Sequence, residues 1–303
     1  MRLVIEAERL MDWMRYRKIY FVLSGVLITI GLFSLGKWGM NLGLDFKGGT
    51  IAEYQFEKEI SRDSIEQKFK ESGLEIFSIE TTGANKYLIR MSPLDKEQKE
   101  KANKILNELT EGSSVNELRF EIVGPSIGPE LIKKTIYAAL IASIAILLWV
   151  AYQFKSFSFG ISAILAMFHD TFILIGSFAL MGHYFKAEID FLFVTALLTT
   201  LSFSVHDTIV VYDRIRESQK KYSESIYNLA NKAITETMVR SLNNSFTIIF
   251  MLVALILLGG TTIKWFAIAL FIGTVAGTYS SPFVAVPLLV TWDDIVKKLK
   301  FKK

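Results

Sequence analysis

Asp207 stands in the run S-V-H-D-T-I-V-V-Y-D-R-I-R-E, residues 204–217, whose first half continues an apolar stretch long enough to cross a bilayer. A charged, unpaired acid at such a position costs about 3 kcal/mol on insertion scales, so a proton or ion pathway is its default reading. Counted from Phe191 at about 1.5 Å per residue, Asp207 lies roughly 24 Å along the helix. Arg240 opens the next apolar stretch from the opposite direction, so the two can reach similar depth on adjacent antiparallel helices. A guanidinium within a few ångströms would hold the carboxylate ionised, and uptake of a proton by the carboxyl would release it. The plainer reading leaves Arg240 snorkelling at the interface and Asp207 in purely structural hydrogen bonds.

Two further polar groups join these candidates. His206 precedes Asp207, and an imidazole titrates near neutrality, yet neighbours on a helix point about 100° apart and need not touch. Asp170, in His169-Asp170-Thr171 midway along another apolar stretch, is either a relay member or a structural hydrogen-bonder; His169 is expected to be a satisfied core residue. Ser241, Asn243, Asn244, Ser245 and Thr247 after Arg240 either hydrate a path or join helices by hydrogen bonds. With three His, no Cys and no H-E-x-x-H spacing, neither a metal nor another cofactor is expected. Protons are the expected coupling ion.

Positioning such groups requires helices that span lipid. The composition is 51% hydrophobic with a mean hydropathy of +0.36, which excludes an ordinary soluble globular chain. Six stretches are long and apolar enough to be transmembrane helices: residues 19–36, 135–154, 157–182, 191–212, 242–260 and 265–291. The first lacks a signal-peptide cleavage site and is expected to be retained. In the short segments, Lys and Arg cluster at the amino terminus, at Lys155, between Arg214 and Lys232 and in the final residues, against Lys186 and Lys264 on the other side, while Lys133 and Lys134 belong to a long translocated region whose charges carry little topological weight. That asymmetry places both termini in the cytoplasm of a multi-pass protein and gives the basic residues lipid headgroups as partners, with no nucleic acid. The amphipathic segment 224–238 is expected to lie along the membrane interface. In the last span, Gly273, Gly277, Ser280 and Ser281 allow close helix contact, within the chain or with a partner, before Pro282 permits a kink.

The polar region between the first two spans reads as one α+β domain. Ala52, Tyr54 and Phe56 alternate with polar residues, Ile65 and Phe69 mark a helix face, and Gly83 to Asn85 join the strands of a hairpin. Ala102, Ile105, Leu106 and Leu109 give a second amphipathic helix that ends by Gly112. Leu118, Phe120 and Ile122 give a last alternating strand that stops at Gly124-Pro125. The order β-α-β-β-α-β is that of a ferredoxin-like, antiparallel split βαβ domain. The expected organisation is a cytoplasmic segment 1–18, a first span 19–36, an extracytoplasmic domain 37–130, a bundle of five spans 131–292 and a basic cytoplasmic tail 293–303.

In Gly43-Leu44-Asp45-Phe46-Lys47-Gly48-Gly49-Thr50 the glycines suit a tight turn and close backbone approach, and Asp45 can accept from backbone amides. This run, Val123 to Leu131 and Ser204 to Glu217 together resemble the signatures of the SecF family of bacterial protein-export subunits, and the six-span layout agrees over nearly the whole chain. The resemblance implies partnership with SecD at the SecYEG channel, preprotein export driven by the proton-motive force across the cytoplasmic membrane, and membership of the wider RND superfamily. It also implies a proton-dependent role for Asp207 and Arg240. His206 departs from the family pattern, in which Asn precedes the Asp. The run Gly43, Asp45, Phe46, Gly48, Gly49 and Thr50 is expected to be structural.

Two other classes compete with the export subunit. A small-molecule or lipid exporter of the RND type would need a substrate channel, for which one six-span unit leaves little room. A passive scaffold would need a structural return for its buried acids. No nucleophile elbow or P-loop is present, so no enzymatic activity is expected.

Overall fold

The computed structural model describes residues 11–110, 114–124 and 127–300. Most of the expected amino-terminal segment, the last three residues of the tail, Gly112 and Pro125 lie outside them. In chain order the helices and strands are α1 (Arg17–Trp38), α2 (Leu44–Lys47), β1 (Gly49–Phe56), α3 (Arg62–Glu71), β2 (Ile76–Gly83), β3 (Lys86–Met91), α4 (Lys96–Leu109), β4 (Val115–Val123), α5 (Ile127–Phe154), α6 (Phe157–Phe185), α7 (Phe191–Lys221), α8 (Ile226–Leu258), α9 (Thr261–Ser280) and α10 (Val286–Lys300). A 3₁₀ turn, Trp13–Tyr16, precedes α1, and a π-helical turn, Ser281–Ala285, joins α9 to α10.

The chain forms two compact units, one of Met1–Asn41, Ala138–Ala187 and Leu192–Lys303, the other of Leu42–Tyr137 with Glu188–Phe191. The second unit holds a four-stranded sheet in the order β2-β3-β1-β4, every pair antiparallel, which is the ferredoxin-like arrangement. Ile65 and Phe69 of α3 and Ala102, Ile105 and Leu106 of α4 pack on Tyr54, Ile89 and Met91 of the sheet. Each large side chain fully removed from water there contributes about 1.5–3 kcal/mol. Asp95 and Gln98 close α4 with a reciprocal capping box. The last strand differs from expectation: Phe120 reaches the core, whereas Leu118 and Ile122 are about half exposed. β4 is an edge strand, and its register against β1 shifts at Glu53/Tyr54, so that Leu118 has no partner and the alternation breaks.

The same unit carries the glycine run. Gly48 and Gly49 have φ of +79° and +155°, conformations that side chains rarely adopt, and a Cβ on Gly49 would also meet Leu44 and the Met91 carbonyl. The Gly43 amide donates to Ile189 O at 2.8 Å, Thr50 Oγ1 accepts from the Leu94 amide at 3.0 Å, and Phe46 is buried. Asp45 Oδ2 accepts from the amide of Phe191, the first residue of α7, at 2.8 Å. A carboxylate there accepts from the first helix amide and complements the positive helix end. Asp45→Ala is therefore expected to cost about 1 kcal/mol, read as a lowered melting temperature of the purified chain, with Asp45→Asn milder.

Glu188, in the connection between α6 and α7, gives the unit a pH dependence. Burial pushes its carboxyl above the ordinary glutamate range, opposed by Arg90 at 3.7 Å. An acid that binds its proton more tightly when folded weakens the fold as it ionises, so the penalty is absent below the ordinary glutamate range, grows as pH rises from there to the raised folded value and is fully present above it. Glu188→Gln is expected to match the wild-type melting temperature in acid and exceed it at neutral pH. Thermal unfolding across pH checks this.

Among the described residues, six helices are long and apolar enough to cross a membrane: Trp13–Trp38, Gly128–Phe154, Phe157–Phe185, Phe191–Lys221, Ile226–Leu258 and Ile263–Leu299. Exposed Val22, Phe33, Ile141, Trp149, Phe250 and Leu258 on α1, α5 and α8 present an apolar surface suited to lipid, while α6, α7 and α9–α10 are the more deeply buried. The small residues of α9 pack within the chain: a Cβ on Gly273 would collide with Thr200 of α7, and one on Gly277 would lie 3.2 Å from Ser204 Cα. On the other side, Gly31 of α1 and Gly176 of α6 meet backbone to backbone. Segment 224–238 is not an interfacial helix. It is the first part of α8, and Leu229, Ala230, Ala233 and Ile234 are fully buried, because the turn Trp13–Tyr16 and α10 cover that apolar face. Trp13 Nε1 donates to Thr235 and the Met14 amide to Asn231, which fastens this covering to α8.

Candidate functional site

Helix geometry gathers the polar residues of α6, α7, α8 and α9 into two buried clusters. Asp207 is 3% exposed, and Ser241 Oγ of α8 donates to its Oδ2 at 2.6 Å. Among the described residues that is the only hydrogen bond to this carboxylate. Thr208 beside it exchanges a hydrogen bond with Ser281 at 3.0 Å and donates to Ser204 O. Asp170 is 4% exposed and more fully held. Its Oδ2 accepts from Ser204 of α7 at 2.5 Å and from Ser280 of α9 at 2.6 Å, and His169 Nδ1 lies 2.8 Å from Oδ1. Ser204 lies one turn before Asp207, so α7 carries both clusters on one face.

The expected ion pair differs from what is seen. Arg240 is exposed, and no ion pair within 4.0 Å joins it to Asp207. The residue that reaches the acid is its neighbour Ser241, because successive helical positions diverge by about 100°. Arg240 instead lines an open cavity of about 350 Å³ with Val210, Asp213, Arg214, Glu236 and Thr237. Val210 lies one turn from Asp207, so this charged recess ends close to the acid. Arg214 is held there by Glu217 at 2.8 Å and by Glu236. His206 is exposed on the opposite side of α7 from the clusters, which keeps it apart from Asp207 as adjacency predicts.

His169 is not the fully satisfied core residue expected, since its Nε2 is buried without a partner. Of the residues that complete the clusters, Ser280 and Ser281 read in the sequence only as small packing residues and Ser204 only as the start of the run 204–217. The usable signal was the spacing Ser204-x-x-Asp207 together with a serine pair directly before Pro282. Of the polar run on α8, Ser241 binds Asp207 and Ser245 accepts from Thr278 of α9 at 2.7 Å, whereas Asn243, Asn244 and Thr247 face outward.

Six membrane-spanning helices, a ferredoxin-like domain after the first, and two acids held by hydroxyls inside the bundle define a multi-pass membrane protein of the transport class. Residues 101–294 match the family described as "Protein export membrane protein SecD/SecF, C-terminal", and residues 33–60, spanning the glycine run, match the "SecD/SecF GG Motif". The chain belongs to the SecF family of protein translocase subunits. It is 41% identical to the protein translocase subunit SecF of Thermobaculum terrenum, over 94% of this chain and 95% of that one, and 36% identical to that of Vibrio alginolyticus, over 93% and 90%. Among solved structures it resembles SecDF of Thermus thermophilus, a translocon-associated membrane protein, with a TM-score of 0.80 at 31% identity over 93% of this chain. SecDF in its super-membrane-facing form matches with a TM-score of 0.68. The chain spans 38% of the length of the first of these SecDF chains.

Proposed function

We propose that this translocase subunit uses Asp207 as the carrier of protons whose inward flow, working with SecD at the SecYEG channel, helps to draw preprotein out of the cytoplasm. The observation that carries the reading is the state of the acid: buried, bound by one hydroxyl, and one helical turn from Val210 at the wall of an open charged recess. The carboxyl has a single hydroxyl donor and no Lys or Arg of the described residues within 4.0 Å, which leaves it a group to which a proton arriving from the recess can bind. Arg240, at the wall of the recess, is placed to attract the ionised carboxylate if α8 turns or slides, which would make the pair an alternative to the Ser241 bond. Asp170 lies deeper in the same framework. The basic residues at the Lys221 end of α7 support a cytoplasmic recess, both termini inside and the ferredoxin-like domain outside the bacterial inner membrane. The role is that of an accessory, energy-coupling subunit and not of a catalyst.

The test is preprotein translocation into inverted membrane vesicles that hold this chain with SecD and SecYEG, measured with and without a proton gradient. A gradient-dependent increment that needs the chain supports the reading. An increment of the same size without the chain refutes it.

A further inference from the structure

Within the helical unit one imidazole nitrogen lacks what buried polar atoms normally have. His169 is 5% exposed, its Nδ1 lies 2.8 Å from Asp170 Oδ1, and its Nε2 is buried with no hydrogen-bond partner. Asp170 Oδ2 accepts in addition from Ser204 and Ser280, which leaves Oδ1 to the imidazole. With Asp170 ionised, the hydrogen of a neutral ring sits on Nδ1 and points at Oδ1, and Nε2 is then a bare acceptor. In that state the pair carries one negative charge inside the bundle, and no Lys or Arg of the described residues lies within 4.0 Å of it. One proton on Nε2 makes the pair electrically neutral without disturbing any of the three bonds to Asp170.

We infer that His169 Nε2 is a second proton-binding atom of the subunit, with Asp170 as the positioning residue that sets the tautomer and balances the charge. The surrounding elements leave the site to these two groups. From α9, Tyr279 packs near the imidazole with ring centroids 6.1 Å apart, but its hydroxyl is engaged with Ser24 Oγ and Tyr20 O of α1. α7 offers Ser204, with Asp207 one turn further along the same face and bound to Ser241 of α8, and the π-helical turn carries no titratable side chain. Of the charges of α10, Asp294 is paired with Arg17 and Lys297 with Asp293, and Lys298 is exposed. Ser280, the last residue before the π-helical turn, binds Asp170 directly and has Gly277 O at 3.3 Å as a second acceptor. A change of charge at the pair thus reaches the break in the sixth span through one hydroxyl, and such π-helical turns are frequent at functional positions.

The inference deepens the proton-coupling reading and rests on it for its purpose, but its test does not use secretion. The chain has three histidines, so His183→Gln with His206→Gln leaves only the His169 ring. Nitrogen-15 spectra of this full-length variant in lipid bilayers, recorded against pH, are expected to show the neutral Nδ1–H tautomer in alkali and the doubly protonated ring after acidification. Adding Asp170→Asn is expected to abolish that conversion over the same range. A ring that stays neutral wherever the protein remains folded, or a conversion unchanged in Asp170→Asn, overturns the inference. If the ring titrates as expected while Asp207→Asn keeps full gradient-driven secretion, the assignment to His169 stands and the role of Asp207 falls.

Discussion

Replacing Asp207 by Asn is expected to abolish the proton-gradient-dependent part of preprotein translocation and leave the gradient-independent part intact. Asn has nearly the same shape and can keep a hydrogen bond to Ser241, so the bundle has no packing reason to fail. It cannot bind and release a proton near neutral pH. Each proton crossing a potential of 100 mV delivers about 2.3 kcal/mol, so the loss of the carrier removes at least that driving force per cycle. Arg240→Met is expected to act in the same direction, because the recess beside the acid loses the cation that would receive the ionised carboxylate. The measurement is the rate of translocation with and without an imposed gradient, at equal amounts of inserted and SecD-bound subunit. A full gradient response in both variants would return Asp207 to a structural role.

The second large effect is structural. Gly176→Val is expected to lower the melting temperature of the detergent-solubilised chain by about 5 °C or more, corresponding to roughly 1–3 kcal/mol of overpacking. A Cβ at position 176 would fall on the Cα of Gly31, and with backbone on both sides no flexible side chain can yield. The helices α1 and α6 must then part along their crossing, where close approach supplies the van der Waals contact that holds spans together in lipid. Gly25→Val is the internal control. Nothing lies within 4 Å of a Cβ at Gly25, which sits on the facing helix α1 away from the crossing, so that variant is expected to melt with the wild type. Equal losses in the two variants would show that a branched residue costs as much away from the crossing as in it, and the crossing would lose its special status.

Much of the architecture was legible because its causes are local. Six apolar stretches meet a requirement of length, and α6 and α7 begin at the residues anticipated, Phe157 and Phe191. The domain's element order followed from period-two alternation, amphipathic helices and turn residues, and the sheet order β2-β3-β1-β4 agrees with it. Local pattern failed where a distant partner decided the outcome. Segment 224–238 has the amphipathic pattern of an interfacial helix, but the same apolar face fits equally well against Met14 and α10, which lie far away in sequence. Leu118 and Ile122 alternate correctly, yet a register shift and an edge position keep them from the core.

The candidate site divides along the same line. From its sequence alone the chain had to be a polytopic membrane protein with acids at Asp170 and Asp207 inside the bundle, since residue type and distance from the span ends suffice for that and depend on no fold. Only the tertiary structure decided what each acid touches. Ser241 rather than Arg240 meets Asp207, Ser204 and Ser280 close around Asp170, and Nε2 of His169 is left without a partner. The reason is angular: depth is set by counting residues along one helix, whereas contact depends on the rotation of each helix about its axis, which the packing of small residues between helices sets.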